Sequence, residues 1–122
     1  MEQILVVDDD SDILDALQFV LEDSGYSVRI TQEGGYAESL LAASDLPKLI
    51  ILDVLLSGMD GRDIVRKLKH NNHTKQIPVI MISAHPTAKK SVIEAGANTF
   101  LPKPFDIDIL LQTVKSALTA SN

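Results

Sequence analysis

The chain has 122 residues, enough for one domain that buries about two thirds of its unfolded surface. It is 45% hydrophobic and 23% charged, as ordinary globular proteins are, and its lack of cysteine excludes a disulfide framework or a thiolate metal site. A net charge of −6 disfavours nucleic acid and anionic membranes; no apolar stretch is long enough to span a bilayer and Met1-Glu2-Gln3 is not a basic leader, so a cytoplasmic acidic domain is expected.

In chain order, Ile4-Leu5-Val6-Val7 is a β-branched apolar run that ends abruptly in Asp8-Asp9-Asp10, a buried strand with carboxylates at its C-terminal end. Ile13, Leu14, Leu17, Val20 and Leu21 then recur at helical spacing, with Asp10 or Ser11 as cap and Gly25 as stop. Residues 27–31 form a short second strand. Ala37, Leu40 and Leu41 mark a second helix after Gly34-Gly35, closed by Pro47. The run from Leu49 through Leu56 is a third strand, with Asp53 inside it. Asp60 caps a third helix bearing Ile64, Val65 and Leu68. Residues 78–82 are a fourth strand ending at Ser83-Ala84; Val92 and Ile93 lie on a short fourth helix stopped by Gly96. Residues 99–101 are a fifth strand, and Leu110, Leu111, Val114 and Leu118 make a last amphipathic helix after Asp106.

Strand–helix alternation repeated five times predicts an α/β fold, a parallel sheet with right-handed crossovers and helices on both faces. Ligands of such open sheets bind beyond the carboxyl ends of the strands. Asp8, Asp9, Asp10, Asp53, Ser83 and Lys103 all fall at those ends, so the reactive side chains converge on one edge. Crowded carboxylates repel unless a cation sits among them, and hard oxygen donors without cysteine suit Mg²⁺, Mn²⁺ or Ca²⁺ rather than Zn²⁺. Asp9 and Asp53 could ligate directly and Asp8 through water, while Lys103 and Ser83 offer an ammonium and a hydroxyl to a phosphoryl group on Asp53. Each residue also has a plainer reading: helix caps for the three aspartates, a turn hydroxyl for Ser83, a solvated lysine for Lys103 and a core ring for Phe100. The His70/His73 pair, separated by Asn71-Asn72, reads as a solvated loop rather than a metal site.

The chain resembles the CheY-like receiver domain of bacterial two-component response regulators. The likeness rests on Ile4-Leu5-Val6-Val7-Asp8-Asp9-Asp10, Leu52-Asp53 with Gly58-Met59-Asp60-Gly61, Ile82-Ser83-Ala84, and Gly96-Ala97 leading to Leu101-Pro102-Lys103-Pro104-Phe105. It implies a flavodoxin-like, doubly wound (βα)5 fold of strand order 2-1-3-4-5, a single receiver domain over residues 1–122 with no output domain in the sequence. It further implies Asp53 as phosphoacceptor from a sensor histidine kinase or phosphotransfer protein. Mg²⁺ would be held by Asp8, Asp9 and Asp53 with the backbone carbonyl of Leu55. Ser83 and Lys103 would assist the transfer, Ser83 and Phe100 would be the switch pair, and Lys103-Pro104 would be cis. The face of the fourth helix, fifth strand and fifth helix would then change its affinity for a downstream protein, an attached output domain or a second copy of the chain. Such a domain is a signalling module, acting only on its own phosphorylation and dephosphorylation.

Departures from the family are equally specific. Ser57 stands where the family usually has proline, which is expected to loosen a turn without touching a reactive group. Leu55 and His85 fall at positions that tune phosphoryl lifetime, and an apolar Leu55 predicts slow self-hydrolysis. The span from Ser83 to Lys103 is short for the family and contains Pro86, so the fourth helix is expected to be short or frayed. Ile107 and Ile109 flank the buried stripe of the last helix, so at least one is expected to be exposed, as ordinary surface or as part of a docking patch. Three other functions are conceivable for such a fold. An Asp53-nucleophile phosphatase lacks a second acid at Leu55, and a nucleotide or flavin module lacks a glycine-rich first turn. A receiver working by protein contact alone stays open.

Overall fold

A computed structural model of the chain describes residues 3–120; Met1, Glu2, Ser121 and Asn122 lie outside the described residues. Strands β1 (Ile4–Val7), β2 (Val28–Thr31), β3 (Leu49–Asp53), β6 (Val79–Ser83) and β7 (Thr99–Pro102) pair in parallel in the order β2-β1-β3-β6-β7. Counting these five alone gives the expected order 2-1-3-4-5, the flavodoxin-like receiver topology. The β-strand period of two divides the sheet's side chains between two cores. Leu5, Val7, Ile50, Leu52, Val79 and Met81 pack one face against α3 (Gly61–Lys69), α4 (Lys89–Ala95) and α2 (Gly34–Ser39). Ile4, Val6, Leu49, Ile51, Ile80 and Ile82 pack the other against α1 (Ser11–Asp23) and α5 (Ile107–Ala120). Both faces of the central strands are covered, which is why they read as unbroken apolar runs.

Caps fall largely where the residue types put them. The Asp10 carboxylate accepts from the N–H groups of Asp12 and Ile13, Asp60 accepts from Arg62 N–H, and Asp106 accepts from Asp108 and Ile109. Gly96 ends α4 with φ +113°, a left-handed conformation that other side chains rarely adopt. That helix is seven residues long and follows a single 3₁₀ turn, Pro86–Ala88, so the short fourth helix expected from Pro86 is what forms.

Two details differ from the expectation. The second helix begins at Gly34 instead of after the glycine pair, and only glycine fits that first position, since a Cβ there would lie 2.8 Å from Met59 Sδ; past Ser39 the helix tightens into a 3₁₀ turn, Leu40–Ala42. The apolar run 49–56 is also not one strand. Val54 N–H makes a last bond to Ile82 O, and the chain then leaves the sheet to form a small hairpin of β4 (Leu55–Leu56) and β5 (Met59–Asp60) around Ser57-Gly58.

Candidate functional site

Parallel register aligns the strand ends. Asp8 follows β1, Asp53 closes β3 and Ser83 closes β6, while Lys103 follows β7 and its N–H donates to Ser83 O at 2.8 Å. The Lys103–Pro104 peptide is cis. At this edge the Lys103 ammonium donates to Asp8 Oδ2 at 2.9 Å and to Asp53 Oδ2 at 3.2 Å. Asp8 is almost wholly buried, and its other oxygen, Oδ1, accepts from Asp10 N–H at 2.9 Å.

These contacts set the electrostatics. Burial is the largest influence on the Asp53 carboxyl and raises its pKa; the negative charge of Asp8 adds to the rise, while Lys103 and a hydrogen bond from the Leu55 backbone N–H oppose it. For Lys103, burial is again the largest single influence and would lower the pKa. The hydrogen bond to Asp8 and the charges of Asp53 and Asp8 together outweigh it, and the ammonium is held above its usual range. One cation therefore balances two buried carboxylates, with Asp53 the group under strain.

The other residues singled out in the sequence stand in different surroundings. Asp9 is half-buried; its Oδ2 accepts from the Ser57 hydroxyl at 2.7 Å and its backbone carbonyl accepts from Gln32 Nε2 at 2.8 Å. Ser57 thus does touch one of the acidic cluster, against expectation, because the hairpin swings its turn over the end of β1. A Ser-Gly pair flanked by apolar residues was the available signal for that turn. The buried Ser83 hydroxyl accepts from His85 N–H at 3.0 Å, which leaves its own proton to be given. Phe100 is half-buried against the core on the α3–α4 face, and the Leu55 side chain is exposed. Ile107 and Ile109 are both exposed. His73 pairs its ring with the Ala43 carbonyl, away from the acidic edge.

Sequence reasoning missed Arg62 altogether. Its guanidinium grips both oxygens of Asp60 and reaches Ser91 Oγ on α4 at 3.0 Å, so the hairpin and α4 share one side chain. The Arg62 bond is the largest cause of a lowered Asp60 pKa.

Among the described residues no three histidine or carboxylate groups stand close enough to cage a metal by themselves. The donor chemistry still fits Mg²⁺, which is held through one or two carboxylates and keeps water and phosphate oxygens for its other positions. The crowding of Asp8 on Asp53 is the electrostatic pressure that a divalent cation relieves.

The family model described as the response regulator receiver domain matches residues 4–115. The response regulator MprA of Mycolicibacterium vanbaalenii is 36% identical over 118 residues, covering 95% of this chain and 50% of that protein. The chain spans about half the length of the curated relatives it matches. The signal receiver domain of a signal transduction histidine kinase from Syntrophus aciditrophicus superposes with a TM-score of 0.87 at 33% identity, covering 98% of this chain and 92% of that one. The receiver domain of NtrX from Brucella abortus gives 0.84 at 34% identity, covering 95% and 98%. This chain belongs to the response regulator receiver domain family, a family of two-component signalling domains.

Proposed function

We propose that residues 1–122 act as one phosphoacceptor receiver, with Asp53 as the acceptor. The reading is carried by one observation: a single ammonium, that of Lys103, bridges buried Asp8 and Asp53 at the carboxyl edge of the sheet. In the transfer an Asp53 oxygen attacks the phosphorus of a phosphohistidine on a sensor histidine kinase or phosphotransfer protein. The O–P bond forms, the N–P bond breaks, and the imidazole leaves with the electron pair and takes up a proton. Asp8, Asp9 and Asp53, with the backbone carbonyl of Leu55, would hold Mg²⁺, which when bound offsets the negative charge of the phosphoryl oxygens. Lys103 is near enough to Asp53 to follow the new charge, and Ser83 has a hydroxyl proton to donate to a phosphoryl oxygen. Withdrawal of that hydroxyl toward the phosphoryl group would open space for the Phe100 ring, which already packs on the core beside α4.

Output through α4, β7 and α5 goes with this reading. Ile93, Ile107 and Ile109 give those helices exposed apolar contacts for a downstream protein, an output domain or a second copy. The domain's catalysis would be confined to its own acyl phosphate, and the donor kinase implies a cytoplasmic setting. The test is incubation with Mg²⁺ and acetyl phosphate, read by intact mass, with Asp53→Asn as control. A phosphoryl adduct on wild type and none on the variant is expected. No adduct on wild type, or an equal one on Asp53→Asn, overturns the reading.

A further inference from the structure

The acidic edge is held in two separate ways. Lys103 serves Asp8 and Asp53, whereas the described hydrogen bond to the Asp9 carboxylate comes from Ser57, 48 positions away in sequence. We infer that Ser57 is a positioning residue for metal binding, fixing the Asp9 carboxylate so that it meets Mg²⁺ through a single oxygen. This inference rests on the proposed role of Asp9 as a metal ligand.

The argument is one of geometry and donor chemistry. The Ser57 hydroxyl donates to Oδ2 at 2.7 Å, a short charge-assisted bond that restricts rotation of the carboxylate and would leave Oδ1 available to ligate. The Asp9 backbone is tied independently by Gln32 Nε2 at its carbonyl, so main chain and side chain are held by different neighbours. Ser57 is itself placed by the hairpin: it is the first residue of a two-residue turn whose second, Gly58, has φ +73°. A Mg²⁺ site that uses few protein ligands gains from having each one already oriented, since the rotational freedom is then lost on folding instead of on binding. Proline at this position has no side-chain donor and could not perform the task.

The test uses Mg²⁺ alone, titrated into the unphosphorylated chain and followed by amide chemical shifts at Asp8, Asp9 and Asp53. Wild type, Ser57→Ala, Ser57→Thr, Ser57→Pro and Asp9→Asn are compared, each first shown to be folded by circular dichroism. Outer-shell partners of metal ligands are worth about 10–100-fold in affinity, and an exposed hydroxyl belongs at the low end. Ser57→Ala and Ser57→Pro are therefore expected to weaken Mg²⁺ about tenfold, with Ser57→Thr restoring wild-type affinity because it keeps the hydroxyl. Unchanged or tighter binding by Ser57→Ala, with Asp9→Asn still impaired, overturns the inference and leaves the ligand assignment standing. Full-strength binding by Asp9→Asn, or no saturable shift in wild type, overturns both.

Discussion

Replacing Lys103 by methionine keeps most of the side chain's apolar stem and deletes its charge. Asp8 and Asp53 then share the strand ends with no cation between them, at side-chain exposures of only 1% and 12%. Removing one partner of a buried ion pair costs about 3–5 kcal/mol, since what stays behind is an uncompensated charge. Two features select the lower end, about 3 kcal/mol. The lysine side chain is itself 16% exposed, and Asp53, its pKa already raised, can relieve the site by taking up a proton. For a domain stable by about 5–15 kcal/mol that is a large fraction of the whole, and it should lower the urea midpoint without altering the slope of the transition. The assay is urea unfolding by circular dichroism at pH 7 on wild type, Lys103→Met, Asp53→Asn and the double variant. Asp53→Asn should recover more stability in the Lys103→Met background than in wild type, because it removes one of the two stranded charges. Additivity within about 0.5 kcal/mol, or a Lys103→Met protein as stable as wild type, would refute the ionic account.

The raised Asp53 pKa has a pH signature. Its folded value lies above the ordinary 3.8, so the native state holds this proton more tightly than the unfolded chain; that contribution is present below 3.8 and is lost as pH rises through the folded value. Asp53→Asn imitates the protonated form, so its melting temperature should exceed that of wild type at pH 7 and the gap should shrink toward pH 4; a gap that widens on acidification sinks this reasoning. Gly61→Ala would put a Cβ 2.3 Å from the Asp53 carbonyl oxygen and 2.9 Å from Met81 Cε, and is expected to cost about 1–3 kcal/mol and slow phosphorylation by acetyl phosphate, whereas wild-type behaviour in both assays would show that the close approach is not tight. With an exposed leucine at position 55, two residues past the proposed acceptor Asp53, the acyl phosphate should decay slowly, and Leu55→Asn should shorten its half-life; a wild-type half-life at the fast end for receiver domains would count against shielding by this side chain.

The sheet and its edge were legible because the physics there is one-dimensional. A strand buried on both faces must be apolar throughout, so Ile4–Val7, Leu49–Asp53 and Val79–Ser83 declare themselves, and a parallel sheet then carries Asp8, Asp53 and Ser83 to the same side. Caps were legible for a similar reason, since Asp10 and Asp60 act within three residues of themselves. The hairpin was not. Leu55 and Leu56 continue the apolar run without a break, and their departure from the sheet is decided by which backbone groups find partners. Ser57 and Arg62 were hidden more deeply, because their meaning lies in Asp9 and Ser91, 48 and 29 positions away. Phe19 carries no trace either: it lies two positions from both Leu17 and Leu21 of the buried stripe of α1, and 72% of it is exposed.

That hairpin turns out to tie together what the strands only bring near. Leu55 N–H reaches Asp53, Ser57 reaches Asp9, and Gly61 N–H closes on Val54 O, one residue past Asp53, at 2.7 Å. Asp60, paired in the ladder with Leu55, is gripped by Arg62, whose remaining nitrogen holds Ser91 on α4. Each link is a backbone or charge-assisted bond, the kind that holds its geometry best. A second connection at the acidic edge runs through Lys103, whose N–H bonds Ser83 O while its ammonium bonds the carboxylates. The acidic edge is therefore tied down from two sides, by the hairpin, which reaches α4 through Arg62, and by the ends of β6 and β7. The residues that depart from the family pattern, Leu55 and Ser57, lie on the first, and the second is built from the residues that carry the resemblance.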